Sequence, residues 1–386
     1  MRFFKLSAIT SLFNVGFYIA TSLIVLYFSD IGMSEFLIGL AMTLARLSYG
    51  LASMLSGAMA DRVGRYYPML MGFLLGAMSM IFLSLLRSQY LAITMVILAW
   101  ISYSIYSPAA LALVSEVSRG TATSYGWYYF FLTIGQIVGQ ALSGNMIKMG
   151  GYGAAFILSG TLSLISAALT WLWFRDEGAK VSVSLLEDFR RGVSILFRNK
   201  YLSYLALSLS LHGIGFTMSF TFIPLVARLD QGMDEPQIGL ALSIWSFGNL
   251  IATVPLGKLT DRIGGREMLI YHLAASSAVW WVYPFLRNEI LIYALMMIQG
   301  FVGAMDLPAR RLLLVGISEK EVATAMGSLD SITFILSSLG NLMAGLTWYL
   351  GHWAPFVFGC LINTLGLLIL LKIGNPSSEL RFTSRL

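Results

Sequence analysis

Charged residues are scarce in this sequence of 386 residues: 11% are charged and 57% are apolar. So few charges cannot cover the surface of a water-soluble protein of this length, which indicates that the chain lies in a lipid bilayer. The net charge of +6 does not indicate nucleic-acid binding, because the basic residues separate apolar runs and are not gathered on one soluble face. We therefore predict an integral membrane protein that binds no nucleic acid.

Cysteine is equally rare, and the common catalytic motifs are absent. Cys360 is the only cysteine, which excludes an intrachain disulfide and a cysteine-cluster metal site. The sequence contains no GxxxxGK[ST], HExxH or GxSxG motif, so neither ATP-driven chemistry nor hydrolysis within the membrane has a sequence signature. We expect no enzyme activity, no metal and no cofactor.

Apolar runs long enough to cross a bilayer, each with about 20 residues, occur twelve times. We number them spans 1 to 12. They lie at residues 8–28, 37–59, 67–86, 91–114, 123–147, 152–174, 201–227, 237–258, 268–286, 290–312, 322–349 and 353–372. The first run lacks a convincing small-residue cleavage site, so it is interpreted as a retained span and not as a signal peptide.

The distribution of Lys and Arg predicts the orientation. With both termini in the cytoplasm, 20 of the 25 basic residues fall on the cytoplasmic side. The opposite loops hold Arg87, Lys148, Arg228 and Arg287, and Arg46 lies inside span 2. This bias follows the positive-inside rule. We expect a multi-pass protein of the plasma membrane with cytoplasmic termini.

The sequence repeats itself across a central connection. Residues 35–64 and 235–264, aligned without gaps, match at ten of thirty positions. We therefore predict two parallel six-helix halves, residues 1–174 and 201–386. The connection, residues 175–200, has apolar residues at helical spacing between charges, which predicts an amphipathic helix at the membrane surface. This helix is either a simple linker or a regulatory binding site.

A charged motif follows span 2 and recurs after span 8. The frame G-x-x-x-D-[RK]-x-G-[RK]-[RK] is matched by Gly57, Asp61, Arg62, Gly64 and Arg65. The looser second copy consists of Gly257, Asp261, Arg262, Gly264 and Arg266. With this pair in register with twelve spans, the sequence resembles the major facilitator superfamily of secondary transporters over essentially its full length. The resemblance implies an all-α fold of twelve transmembrane helices in two pseudo-symmetric halves.

Each residue type in the motif has a physical role. Gly57 removes a side chain where another helix approaches, Asp61 can accept from a helix N-terminus, and Gly64 permits a tight turn. The resemblance implies that the motif latches the halves on the cytoplasmic side when the cavity faces outward, with Glu116 pairing with one of the arginines. The alternative is that these charges only set the topology.

Two departures from the family pattern concern coupling. Span 4 lacks the arginine that many proton-coupled members carry. Span 5 keeps Gly135, Gly139 and Gly144 at a spacing typical of helix packing, but it lacks the proline and one glycine of the antiporter motif. These departures weaken antiport without excluding it.

Charged residues inside spans indicate functional sites, because each costs about 2.5 to 3.5 kcal/mol at a helix centre. Arg46 shares a polar stripe with Tyr49, Ser53 and Ser56, and its counterpart in the repeat is Ser246. The stripe should face protein or water and not lipid. Arg46 is either a substrate or gating residue or a structural hydrogen-bonding arginine.

Two acidic residues lie in the second half. Asp306 precedes Arg310 by one helical turn, which predicts an i,i+4 ion pair. Asp330 lies on a polar face of span 11 and lacks such a local partner, so it is the favoured protonatable group. We also expect Asp330 to pair with Arg46 in one conformation of the transport cycle.

The resemblance implies that spans 1, 4, 7 and 10 line a central cavity. This favours as site residues Asn14, Tyr18, Tyr103, Tyr106, His212, Gln299 and Asp306. His212 is expected either to carry a proton or to bind a backbone carbonyl.

Together these features predict a monomeric secondary transporter that works by alternating access, with membrane lipids, protons and a small-molecule substrate as partners. Proton-coupled export of amphipathic or aromatic compounds is favoured, because the cavity spans are rich in Tyr, Trp and Met. The alternative is uptake or exchange of an anionic metabolite held by Arg46. A sensor or receptor built on the same fold is a minor alternative.

Overall fold

The computed structural model describes residues 1–85, 87–118, 121–174, 194, 197, 200–314 and 319–372. Every regular element in these ranges is helical, as the sequence predicts. The predicted amphipathic helix of residues 175–200 lies outside the described residues, apart from three isolated positions.

The helices follow one another with short connections. The N-terminal part contains α1 (Arg2–Thr21), α2 (Ile24–Asp30), α3 (Glu35–Val63), α4 (Tyr66–Leu85), α5 (Gln89–Ser118) and α6 (Ala122–Phe174). The C-terminal part contains α7 (Lys200–Thr221), α8 (Ile223–Leu229), α9 (Glu235–Ile263), α10 (Gly265–Val282), α11 (Glu289–Gly303), α12 (Asp306–Leu313), α13 (Glu319–Thr347) and α14 (Ala354–Lys372).

Ten helical segments among the described residues are long and apolar enough to cross a membrane. One of them, Thr123–Phe174, covers spans 5 and 6, because α6 changes direction at Gly151, where φ is 70°. A positive φ strains any residue with a Cβ, so glycine is suited to this corner. Span 9 corresponds to α10, which is helical but is not among the ten. The helices are compatible with twelve spans.

The backbone repeats with the same offset as the sequence. Helices α3 and α9 occupy equivalent residues, and each ends at a glycine with positive φ, 88° at Gly64 and 98° at Gly264. The tight turn predicted for the motif is therefore confirmed in both copies. Spans 1 and 7 also break at equivalent places, after Thr21 and after Thr221.

The chain forms two compact units. Among the described residues, the first unit holds 1–174 and 227–246, and the second holds 200–226 and 247–372. The first turns of α9 thus belong to the first unit, although they follow the linker in sequence. The division into sequence halves at residues 174 and 201 stays a prediction.

Each unit has its own packing. In the first, α1 lies along α6, and α4 packs on both α5 and α6. In the second, α7 packs against α13 and α14, and α10 packs against α12 and α14. The core of the second unit contains Leu205, Leu209, Met268 and Leu313, which are almost completely buried.

The glycines of α6 are packing sites, as their spacing predicts. A Cβ placed on Gly135 would lie 2.5 Å from the Ser11 carbonyl oxygen of α1. A Cβ on Gly139 would lie 2.6 Å from the Val15 carbonyl oxygen, and one on Gly144 would collide with the backbone of Glu235. Small residues here allow α6 to approach α1 and the start of α9 closely.

We expect Gly139→Ala to lower the free energy of unfolding by about 1–3 kcal/mol, because the added methyl group meets backbone atoms that cannot rotate away. Gly126→Ala is the matched control on the same helix, since no described atom lies within 4 Å of a Cβ there. Alanine at Gly126 should be neutral or stabilising by up to about 1 kcal/mol. Thermal unfolding in detergent measures both; equal melting temperatures would contradict the packing.

Candidate functional sites

Asn14 organises a polar group between α1 and α5 in the first unit. The Tyr103 hydroxyl donates to Asn14 Oδ1 at 3.1 Å, and Asn14 Nδ2 lies 3.5 Å from the Tyr106 hydroxyl. Asn14 Nδ2 also donates to the Thr10 carbonyl oxygen at 3.2 Å. Asn14 and Tyr106 are both 1% exposed, so the amide is oriented by protein groups. Three of the predicted site residues therefore lie together.

Aromatic rings surround this group. We call them the aromatic cluster: Phe13, Phe17, Tyr18, Tyr49, Trp100, Tyr103 and Tyr106. The ring centroids of Phe17 and Tyr103 lie 4.8 Å apart, and those of Tyr103 and Tyr106 lie 5.1 Å apart. Trp100 Nε1 is buried and has no hydrogen-bond partner among the described residues. The sequence predicts Tyr18, Tyr103 and Tyr106 as site residues; Phe13, Phe17 and Trp100 are added by the structure.

Arg46 lies on α3 one turn before Tyr49, with which it interacts electrostatically. Further along the same stripe, the Ser56 hydroxyl donates to the Ser104 carbonyl oxygen of α5 at 2.7 Å. The stripe faces protein at Tyr49 and Ser56, as predicted. The repeat counterpart Ser246 accepts a hydrogen bond from Gln136 at 3.1 Å and donates to Gln140 at 2.6 Å. Arg46 and Ser246 therefore lie in different environments, although they occupy equivalent positions of the repeat.

Arg310 joins two carboxylates in the second unit. Its Nε atom donates to Asp306 Oδ1 at 2.6 Å, which confirms the predicted i,i+4 pair. Its Nη1 atom lies 3.6 Å from Asp330 Oδ1, a contact across helices that the sequence does not predict. Asp306 begins α12, because the helix breaks at residues 304 and 305, where the sequence predicts one continuous run. The predicted pairing of Asp330 with Arg46 stays a prediction.

His212 belongs to a buried chain of hydrogen bonds. Its Nδ1 atom lies 2.9 Å from Asn363 Oδ1, and its Nε2 atom lies 3.0 Å from His272 Nε2. The backbone carbonyl foreseen as an alternative partner is bound instead by His272, whose Nδ1 atom lies 2.7 Å from the Val302 oxygen. Gln299, also predicted for the site, donates from Nε2 to the Ser276 hydroxyl at 3.1 Å. His272 is absent from the sequence-based set, although a polar residue in an apolar span was a usable signal.

A cavity of about 520 Å³ lies in the second unit between α9 and the α11–α12 break. Its polar lining is Asn249, Thr253, Asp261, Asp306 and Arg311. Gly257 also lines it, and a Cβ there would meet no described atom within 4 Å. The second motif copy and the predicted coupling residue Asp306 thus face one cavity.

The first motif copy contains the predicted ion pair. Arg65 Nε lies 3.0 Å from Glu116 Oε1, where the resemblance places Glu116 beside an arginine. In the second copy, Arg266 instead donates to the Leu371 carbonyl oxygen at 3.0 Å, at the C-terminal end of α14, where a positive charge is favourable. Gly57, Asp61 and Arg62 lie on α3, but their side chains are outside the described set. The latch function stays a prediction.

A second ionic network holds the segment 227–246 in the first unit. Arg228 donates from two nitrogens to the two carboxylate oxygens of Asp30, and the Tyr152 hydroxyl donates to Asp30 Oδ2 at 3.0 Å. Lys148 Nζ lies 2.8 Å from Asp234 Oδ2. From the sequence, Arg228 and Lys148 had only a topological role. The network links loops that the charge bias places on the non-cytoplasmic side.

Long apolar helices with polar clusters buried between them define the class of this molecule as an integral membrane protein. A family model described as Major Facilitator Superfamily matches residues 6–234 and 205–385. The chain therefore belongs to the major facilitator superfamily, as the motif pair predicts. Transporters of this superfamily carry small-molecule substrates.

Relatives and solved structures agree with this family. The chain is 23% identical over 355 residues to the multi-drug resistance efflux pump PmrA of Streptococcus pneumoniae, covering 88% of each chain. It is 24% identical over 336 residues to the multidrug resistance protein MdtG of Yersinia enterocolitica, covering 83% of this chain and 79% of the relative. The crystal structure of the nucleoside transporter NupG superposes with a TM-score of 0.81 at 12% identity, covering 96% of this chain and 98% of that one. That likeness shows the fold alone.

Proposed function

We propose that this transporter exports small amphipathic or aromatic compounds by alternating access, coupled to protons. The aromatic cluster around Asn14 is the observation that carries this proposal. Aromatic faces and edges bind flat apolar ligands of varied shape, with about 0.5–1.5 kcal/mol per ring pair beyond area burial. The Asn14 amide and the tyrosine hydroxyls orient such a ligand by hydrogen bonds. The name of PmrA, a multi-drug resistance efflux pump, supports export, and MdtG is named a multidrug resistance protein.

Arg46 favours a second candidate, an anionic substrate. Its guanidinium interacts with Tyr49, a member of the aromatic cluster. A fixed positive charge at membrane depth attracts a carboxylate or phosphate strongly, because the surroundings screen it weakly. Exchange of an anion therefore requires the positive charge of Arg46, whereas export of a neutral aromatic compound does not.

Transport in proteoliposomes separates these candidates. The probes are three fluorescent aromatic compounds of matched size: one neutral, one cationic and one carboxylated. For the export proposal, Tyr103→Leu should lower neutral-probe transport about 10-fold, equivalent to about 1.4 kcal/mol, whereas Tyr103→Phe should retain most of it. Tyr90→Leu is the control, since Tyr90 is an exposed aromatic residue of the same helix. Unchanged transport in Tyr103→Leu would refute the proposal. Transport of the carboxylated probe alone, abolished by Arg46→Gln, would select the anion.

We propose Asp330 and Asp306 as the coupling carboxylates. Both carboxylates interact with Arg310, and the Asp330 side chain is only partly enclosed by protein, with 48% of its surface exposed. A proton on Asp330 removes one of the two negative charges that Arg310 balances, which frees the guanidinium to move. Transport driven by an imposed pH gradient should therefore be lost in Asp330→Asn while binding of the probe persists.

The orientation is tested by single cysteines in a Cys360→Ser background. Ser182→Cys, in the central connection, and Ser88→Cys, at an exposed position between α4 and α5, should react with a membrane-impermeant thiol reagent from opposite sides. Ser182→Cys should react from the cytoplasmic side. Reaction of both from one side would contradict the two-half topology.

A further inference from the structure

Two buried histidines meet edge to edge in the second unit. His212 on α7 is 5% exposed and His272 on α10 is 3% exposed. Their Nε2 atoms lie 3.0 Å apart, which is the separation of a hydrogen bond between two nitrogens. A hydrogen bond needs one proton and one lone pair, so the partners of the outer nitrogens decide what lies between the rings.

The outer nitrogen of each ring faces a group that can only accept. His272 Nδ1 lies 2.7 Å from the Val302 carbonyl oxygen, so this nitrogen carries a proton. His212 Nδ1 lies 2.9 Å from the oxygen of the Asn363 amide. The amide is fixed in this orientation, because its Nδ2 atom donates to the Leu273 carbonyl oxygen at 2.9 Å and to the Ser277 hydroxyl at 2.7 Å. His212 Nδ1 therefore carries a proton as well.

A neutral imidazole carries one N–H, and both rings have already placed theirs on Nδ1. Two neutral rings would then point two lone pairs at each other across 3.0 Å. We propose that His212 and His272 form a proton-binding site that holds one proton between their Nε2 atoms in the folded protein. The pair then carries three protons on four nitrogens and a charge of plus one. Every ring nitrogen has a partner in this arrangement.

Charged groups of both signs lie around the pair. Asp306 and Arg310 of α12 act electrostatically on both histidines in opposite directions: the carboxylate favours a bound proton and the guanidinium opposes it. On α14, the Cys360 thiol donates to the Ser277 carbonyl oxygen at 3.2 Å, and Lys372 lies at the exposed far end of the helix. Arg310 faces two carboxylates, Asp306 and Asp330, so these three groups have an excess negative charge. Arg311, exposed on α12, adds a screened positive charge near Asp330. A proton on the histidine pair adds a counter-charge in the low-dielectric interior.

This site does not depend on the proposed substrate or on export, since it is defined by hydrogen bonding in the folded state. Nitrogen NMR of histidine-labelled protein tests it directly. The chain has three histidines, and His352→Gln leaves only the pair. At neutral pH both Nδ1 atoms should be protonated, and the two Nε2 atoms should share one further proton. An unprotonated Nδ1, or two unprotonated Nε2 atoms, would overturn the proposal even if transport occurs as proposed.

Thermal unfolding against pH is the second measurement. At pH 8 the histidines of an unfolded chain are unprotonated, so unfolding releases the shared proton. Stability should therefore fall as the pH rises, because the folded state binds one more proton than the unfolded state. His272→Gln should show a shallower decrease than the His352→Gln control, with His212→Gln as the substitute if His272→Gln fails to fold. Equal slopes would contradict the shared proton.

Discussion

Arg310→Gln is expected to destabilise the protein by about 3–5 kcal/mol, the range for removing one partner of a buried ion pair. The Arg310 side chain is 14% exposed and balances both Asp306 and Asp330. Without it, two carboxylates face each other at membrane depth with no cation between them. Because Asp330 is half exposed, the loss should lie towards the lower end of this range. Transport should also lose its dependence on the pH gradient.

Arg311→Gln is the matched control for this experiment. Arg311 is the next residue of α12, but its side chain is exposed in the cavity lining. Its removal should change stability by no more than about 0.5 kcal/mol. Adding Asp306→Asn to Arg310→Gln should restore part of the lost stability, because one stranded charge disappears. If Arg310→Gln and Arg311→Gln have the same melting temperature, Arg310 does not stabilise the two carboxylates.

Much of the helical architecture is predictable from the sequence, because an apolar bilayer accepts only helices whose backbone groups are satisfied internally. Long apolar runs then specify where helices lie, and Gly64 and Gly264 mark turns that need a positive φ. Breaks inside the runs are harder to predict. Residues 304 and 305 separate α11 from α12, three to four residues before Pro308, whereas the equivalent Pro108 lies inside the continuous helix α5. Such breaks depend on packing and hydrogen bonds from other helices.

Some contacts in the candidate sites are predictable from the sequence and others are not. The Asp306–Arg310 pair follows from helical geometry, which places residues four apart on one face. The Arg310–Asp330 and His212–His272 contacts each join two different helices, so no local period reveals them. What the sequence does show is that each of these residues is polar within an apolar run. A polar residue there must find a partner, but the sequence does not name it.

Loss of the Asp30–Arg228 ion pair should loosen the segment 227–246 from the rest of the first unit. Arg228 belongs to the segment 227–246 that packs in the first unit, and its side chain also lies 3.7 Å from Glu235. An exposed ion pair contributes about 0.2–1 kcal/mol, and a bidentate contact contributes more. The contacts of Arg228 with Asp30 and Glu235 should therefore contribute about 1–2 kcal/mol together. Arg228→Gln should therefore raise the population of states with this segment released about 5–30-fold. Spin labels at Ser88→Cys and Leu229→Cys, two exposed positions of the first unit, measure the release as a longer distance in a Cys360→Ser background.

Arg287→Gln is the control, because Arg287 lies on the same predicted side but donates to the carbonyl oxygens of Pro284 and Leu286 in its own loop, at 2.8 Å each. High salt should reproduce the effect of Arg228→Gln, since these partly exposed pairs are screened. Mild acid should leave the Lys148–Asp234 pair intact, because the hydrogen bond from Lys148 lowers the pKa of Asp234 below its usual range. The Lys148–Asp234 pair contributes above the usual Asp range and is lost only as the pH falls through this lowered pKa. An unchanged distance distribution in Arg228→Gln, with high salt also without effect, would mean that these ion pairs do not hold the segment 227–246 in place.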